Sequence, residues 1–282
     1  MSFIAAFSVL LSASSAFAYV PPSQYILKSW VKSRNSVGVF RVRSNVIAYD
    51  NGKPTESTFR QLTVFDPKTK SLRARAYDLS GRELYSVERR IPDAVSATNG
   101  GGDHLPVVGA LLFDRDLDGV SAILRSGGIP IRTEAELVQM KDENERRASE
   151  VQSFARYRGA VAWVIGPGVS DLVWPQLWFE KDGFLPIRLI QKSEEGTVDV
   201  KFEAFRFSGP VGFPGVVSVG TASKAKEEDP RLIWFKEEVT EFTTAGDPKE
   251  LKGSGSAGFT SEGNQVEGRL KDAIRRYFSV LR

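Results

Sequence analysis

The 282-residue chain has no cysteine, a single histidine and two methionines. Without cysteine there is no disulfide, no thiolate nucleophile, no iron–sulfur cluster and no cysteine-ligated zinc. His104 alone cannot furnish the two or three imidazoles that most catalytic zinc sites use, and it is the one candidate histidine base. Charge of one sign is lacking too. The 38 basic residues against 35 acidic ones leave a net +3, too small an excess to point to nucleic acid. What is plentiful is apolar: 41% of the residues are hydrophobic, among them 18 phenylalanines and 5 tryptophans. A chain of this length can bury a core without covalent staples.

Residues 1–18, MSFIAAFSVLLSASSAFA, hold no charged side chain, an apolar stretch from Phe3 to Leu11 and the small-x-small ending Ala16-Phe17-Ala18. That is the pattern of a signal peptide, although no Lys or Arg precedes the apolar stretch. The stretch falls short of the roughly 20 residues a membrane span needs, and no later run reaches that length. A cleaved export signal over 1–18 is expected, with the mature chain starting at Tyr19, no lipid on it for want of a cysteine, and a periplasmic location.

Beyond the signal, Ser23 is expected to cap a short helix reaching about Trp30. The hydrophobic period then changes to two. In 37–49, Phe40, Val42 and Val46 share one face and Arg41, Arg43 and Asn45 the other, the signature of a half-buried strand. The turn Asp50-Asn51-Gly52 and the runs 59–66, 72–78 and 82–90 complete a four-strand antiparallel meander. Between about 91 and 148 the alternation stops. A glycine-rich loop (98–103), the apolar run 105–113 and a capping-box pair, Thr133 and Glu136, mark a helical insertion with a helix over about 134–146. Strand signals resume at 151–157, 160–166, 175–181, 184–192, 197–207, 213–222 and 231–242. A Gly/Ser stretch leads to an amphipathic closing helix near 268–281, with Leu270, Ile274, Tyr277, Phe278 and Leu281 on one face. The fold class expected is mainly β (α+β), about eleven strands in a single domain over 19–282.

Leu177-Trp178-Phe179-Glu180-Lys181, the turn to Leu185-Pro186-Ile187-Arg188, the strand ending Phe205-Arg206-Phe207 and then Gly212-Phe213-Pro214 resemble the LolA-like family of periplasmic outer-membrane lipoprotein-sorting proteins. The recognisable residues span about 175–219; the order of elements is similar over most of 19–282. The resemblance implies a curved antiparallel half-barrel, its concave face covered by helices around an apolar cavity for acyl chains. Burying such a chain is worth about 0.8 kcal/mol per methylene. The candidate lining residues are Phe40, Val42, Val46, Trp163, Ile165, Leu185, Ile187, Val198, Val200 and Phe202. The same alternation would also arise from an ordinary solid core. The insertion is longer than a minimal carrier needs.

Other patterns favour plainer readings. Asp114-x-Asp116-x-Asp118-Gly119 matches the first half of a calcium loop, but Arg125 stands where the bidentate glutamate belongs, so an acidic turn capping the segment after it is preferred. His104 beside Asp103 reads as a solvated loop pair, since no G-x-S-x-G elbow supports a nucleophile at Ser96 or Ser121. The arginines of the meander (Arg41, Arg43, Arg60, Arg73, Arg75, Arg82, Arg89, Arg90) and the basic tail (Arg269, Lys271, Arg275, Arg276) read as solvated faces with acidic neighbours rather than a surface for anionic headgroups. The functional expectation is a periplasmic carrier or chaperone that binds acyl chains of lipids or lipoproteins, without catalysis, cofactor, metal, nucleic acid or transmembrane segment. The alternative is a non-catalytic envelope sensor or scaffold that uses the same fold to bind a peptide or acylated protein partner.

Overall fold

Two runs of period-two alternation, one from each half of the chain, meet along the middle of one sheet. The structure, a computed structural model, describes residues 21–34, 38–90, 106–132, 134–140, 152–166, 174–193, 196–222, 229–251 and 258–281. The expected signal (1–18), the glycine-rich loop with Asp103 and His104, and the segment after 140 in the insertion lie outside the described residues.

The first run gives β1 (Val39–Asp50), β2 (Lys53–Asp66), β3 (Ser71–Tyr77) and β4 (Glu83–Arg90). Asn51 and Gly52, both at positive φ, close the β1–β2 hairpin in two residues, the geometry that Asn-Gly favours. The second run gives β5 (Gln152–Tyr157), β6 (Ala160–Ile165), β7 (Gln176–Glu180), β8 (Pro186–Ser193) and β9 (Gly196–Glu203). A small hairpin, β10 (Arg206–Ser208) with β11 (Val211–Phe213), precedes β12 (Val216–Thr221), β13 (Ile233–Gly246) and the two-residue β14 (Gly258–Phe259). Twelve strands form one open antiparallel sheet in the order β14-β4-β3-β2-β1-β13-β12-β9-β8-β7-β6-β5. The first strand therefore lies beside the last long one, and each half is a meander hung from that central pair.

Among the described residues there are fourteen strands rather than eleven, for a local reason. The run 197–207 breaks at Ala204, whose φ of 51° is in the left-handed region, where a side chain costs about 1–2 kcal/mol. Gly215 packs so tightly there that a Cβ would sit 2.3 Å from the Ala204 carbonyl oxygen. The chain thus leaves the sheet after Glu203, makes the β10–β11 hairpin and returns at Val216. β14 adds one more strand from the Gly/Ser tail.

Helices cover one face. α1 (Ser23–Lys32) starts one position earlier than a Ser23 cap requires: Pro22 occupies the N-cap and no side chain caps it. The insertion contributes α2 (Val107–Phe113), α3 (Leu117–Ser126) and α4 (Glu134–Gln139), and the tail contributes α5 (Gly268–Leu281). The acidic turn caps α3, with the Asp116 carboxylate accepting the Asp118 N–H at 3.2 Å. Arg125 and Glu136, 3.3 Å apart, link α3 to α4. Trp30 Nε1 donates to the Leu111 carbonyl at 3.0 Å and ties α1 to α2. The arginines expected on solvated faces have acidic neighbours: Arg41 with Glu241 and Glu250, Arg73 with Glu88, Arg75 with Glu83, Arg82 with Asp78. Arg73 is buried, however, and Arg41 and Arg75 are half-buried, so solvation holds for Arg82 and not for them.

Candidate functional site

The helix-covered face is apolar across both halves of the sheet. Phe40, Val42 and Val46 of β1 stand beside Phe65, Thr63 and Phe59 of β2. The same face continues through Val217 and Val219 to Val198, Val200 and Phe202, then Leu189, Leu177, Phe179, Trp163 and Ile165. Ile26, Leu27 and Trp30 of α1, Leu111 to Phe113 of α2, Ile123 and Leu124 of α3, and Ile274, Phe278 and Leu281 of α5 pack into it as one cluster.

Of the ten residues expected to line a cavity, the structure brings eight together in this cluster: Phe40, Val42, Val46, Trp163, Ile165, Val198, Val200 and Phe202, none more than 5% exposed. Leu185 lies in the turn before β8, half-buried at the margin of the cluster. Ile187 departs from the set. Arg188 pairs with Trp178 and Pro186 with Phe179, so Ile187 is the extra residue of a β-bulge. A bulge re-aims the side chain it inserts, and Ile187 packs on the opposite face against the cluster of Tyr157, Trp178 and Ile190. The expected place of Ile187 is taken by Leu189. Among the described residues, side chains of the helices pack in the same cluster as these residues.

A polar belt crosses this apolar face. Ser44, Gln61, Thr63, Glu237 and Tyr277 are each at most 2% exposed. Ser44 Oγ donates to Glu237 Oε1 at 2.9 Å, the Tyr277 hydroxyl donates to Gln61, and the Gln61 amide to Thr63. Withdrawing these groups from water costs free energy unless they are bonded to one another, so α5 is held by a directional network as well as by packing. Glu237 was overlooked in the sequence, yet Phe235, Glu237 and Val239 are two residues apart, which places the carboxylate on the apolar face.

Arg34, just past the end of α1, is fully buried, its guanidinium 3.4 Å above the Trp30 ring. None of its three guanidinium nitrogens has a hydrogen-bond partner among the described residues. Burial pulls its pKa well below the ordinary arginine value, against the opposing charge of Asp114. Asp114, between α2 and α3, is raised from the usual carboxylate value, first by burial. Its Oδ1 accepts the N–H groups of Arg115 and Asp116, while its buried Oδ2 lacks a partner. Two opposite charges are thus buried within electrostatic reach of each other and not bonded.

The opposite face carries a contrasting arginine. Arg188 makes a bidentate bond to Asp199, 2.9 and 2.8 Å, and lies over Trp178 and Tyr157. Beside it, Lys201, Ser218, Thr221 and Asp229 line a cleft of about 30 Å³, room for a water molecule and far below the roughly 300–1,000 Å³ of a ligand pocket. Hydrogen bonds from Arg231 hold Asp229 at a pKa of about 2. Among the described residues no group of three or more His, Asp or Glu is arranged to hold a metal ion, and no helix is long and apolar enough to cross a membrane.

No family model matches the chain, and no curated protein matches it. Solved structures similar to it include a LolA superfamily protein from Nitrosomonas europaea (12% identity, TM-score 0.44, 82% of this chain and 97% of that one). Others are a DUF1329 family protein from Desulfovibrio piger (10%, 0.39, 83% and 99%) and an outer membrane lipoprotein-sorting protein domain from Vibrio parahaemolyticus (8%, 0.38, 90% and 97%).

Proposed function

We propose that the chain is a non-catalytic periplasmic carrier or chaperone, a curved half-barrel whose helix-covered concave face takes up acyl chains of lipids or lipoproteins. The observation that carries this reading is the continuous apolar face spanning both halves of an open sheet, closed by short helices. Helices of 6 to 10 residues such as α1 to α4 are not stable alone and persist because their apolar faces are buried. An acyl chain can replace that burial: each methylene it brings is worth about 0.8 kcal/mol, so a long chain competes with a short helix for the same surface. Helix side chains pack on this face, so loading requires part of the cover to move aside. Arg34 and Asp114 sit where α1 meets the α2–α3 junction, and their lack of a bond lowers the cost of parting there.

Native mass spectrometry of the purified protein, before and after organic extraction, tests this. The expected result is a bound acyl lipid that extraction removes and a fluorescent fatty acid restores. Absence of lipid, together with failure to accept an acylated peptide, sinks the carrier reading. The packing of helix side chains on the face favours a second reading, a non-catalytic envelope sensor or scaffold that binds a peptide or acylated protein partner. Retained capture of a non-acylated peptide by a lipid-free protein would favour that one.

A further inference from the structure

At one rim of the sheet a ring of aromatic side chains faces outward. Tyr25 of α1 is 55% exposed and Phe207 of the β10–β11 hairpin 62%; among the described residues Leu79, Val138, Val161 and Trp174 are exposed too. They are joined through half-buried neighbours. Tyr25 meets Phe184 edge-on at 5.9 Å, and Trp30, one turn further along α1, meets Phe205 at 6.3 Å. Gly212 is the common neighbour of Leu185, Phe205 and Phe207; a Cβ there would lie 3.1 to 3.5 Å from all three. The backbone is bent to present this ring. Phe184 has a φ of 52° and Ala204, immediately before Phe205, a φ of 51°; non-glycine residues in the left-handed region concentrate at functional positions.

The helix that contributes Tyr25 to the ring is basic on its exposed face. α1 contains no acidic residue, and its exposed face consists of Tyr25, Lys28 and Lys32. Lys181 is exposed in the β7–β8 turn; Asp182 is the acid beside it, and the Glu180 carboxylate there is occupied by the N–H groups of Asp182 and Gly183. Projecting aromatic tips flanked by lysines suit the boundary of an anionic bilayer, where rings enter the headgroup layer and ammonium groups meet phosphates. A second copy of the same lysine-bearing face would be repelled.

We propose that this rim, Tyr25, Phe184, Leu185, Phe205 and Phe207 with Lys28 and Lys32, docks the protein on an anionic membrane surface. The proposal does not depend on whether the chain carries acyl chains, because its exposed residues, Tyr25, Lys28, Lys32 and Phe207, are not among those proposed to line the acyl-binding face. Flotation with vesicles of phosphatidylcholine, with and without phosphatidylglycerol, tests it. The wild type should float with the anionic vesicles and be released by salt. Phe207→Ser should weaken partition about tenfold, the order expected for losing one buried phenyl ring, and Lys28→Glu with Lys32→Glu should abolish the preference for phosphatidylglycerol. Both substitutions are at exposed positions, and an unchanged circular dichroism melt confirms the fold. As an independent readout, Phe207→Trp should show blue-shifted emission on adding anionic vesicles. No flotation, equal flotation of the Phe207→Ser protein, an unshifted Phe207→Trp spectrum, or a dimer that Phe207→Ser dissolves would each overturn the proposal.

Discussion

Two arginines withdrawn from water, each set over a tryptophan with an aspartate near by, end in opposite conditions. Arg188 and Asp199 project from adjacent strands, where β8 and β9 fix them as diagonal neighbours, Arg188 opposite Lys201 and Asp199 opposite Ile190. The ladder sets their separation, and the bond closes in two places. Arg34 and Asp114 come from the end of one helix and the junction of two others, where nothing so rigid sets the spacing, and no bond forms between them. A pair on a sheet is held by register. A pair across helix ends depends on how the helices pack, and here the packing leaves both charges exposed to each other but unmet. For these two pairs, the strand ladder fixes the spacing and the helix ends do not.

Breaking the closed pair should have the largest effect. Asp199→Ala leaves Arg188 buried without its carboxylate and should cost about 3–5 kcal/mol in urea unfolding; a loss below about 1 kcal/mol would show that Arg188 reaches water. The open pair should respond in the other direction. Replacing both charges, Arg34→Met with Asp114→Leu, removes two desolvated ions and should stabilise the fold by about 1–4 kcal/mol, while slowing uptake of a fluorescent fatty acid if the cover opens at that junction. A destabilised double variant would mean that the charges are needed where they stand.

The pH dependence sharpens the contrast further. Because Asp114 holds its proton more tightly when folded than the usual 3.8, its penalty is absent below that value. As pH rises through the window up to the raised folded value the penalty grows, and it persists above. Stability should therefore fall with rising pH across that window, and Asp114→Asn should remove that component of the slope; identical slopes for the two proteins would refute it. The smallest effect belongs to a pair in water. Glu241→Ala removes a partner of Arg41 and Arg43, but the carboxylate is 44% exposed and Arg41 keeps Glu250, so thermal melts should report at most about 1 kcal/mol, vanishing in high salt.

The sequence disclosed most of the sheet because period-two alternation is a local property. Phe40, Val42 and Val46 needed only their own neighbours in the chain to be assigned to one face. What it concealed depends on single backbone angles or distant partners. The break at Ala204 has no glycine or proline at that residue to announce it, so 197–207 read as one strand. The bulge at Ile187 reverses one side chain within a strand otherwise read correctly. Glu237 was legible by the same alternation, its charge notwithstanding. Arg34 was not: its burial is imposed by packing around α1, and Asp114 is far along the chain. The pairing of β1 with β13 was likewise out of reach, because no local pattern says which strand a meander's first member will join.

That central pairing also governs the order in which the molecule can be built. A chain made from its N-terminus offers β1 to β4 early, but the other side of β1 stays vacant until residues 233–246 exist. Contacts across so much sequence form slowly, since the intervening loop must be ordered before they give any return. Until then β1, with its three valines, is an unprotected edge, a template for the wrong strand. The protein's final architecture has no such edge at its centre, but every newly made copy passes through a stage that does.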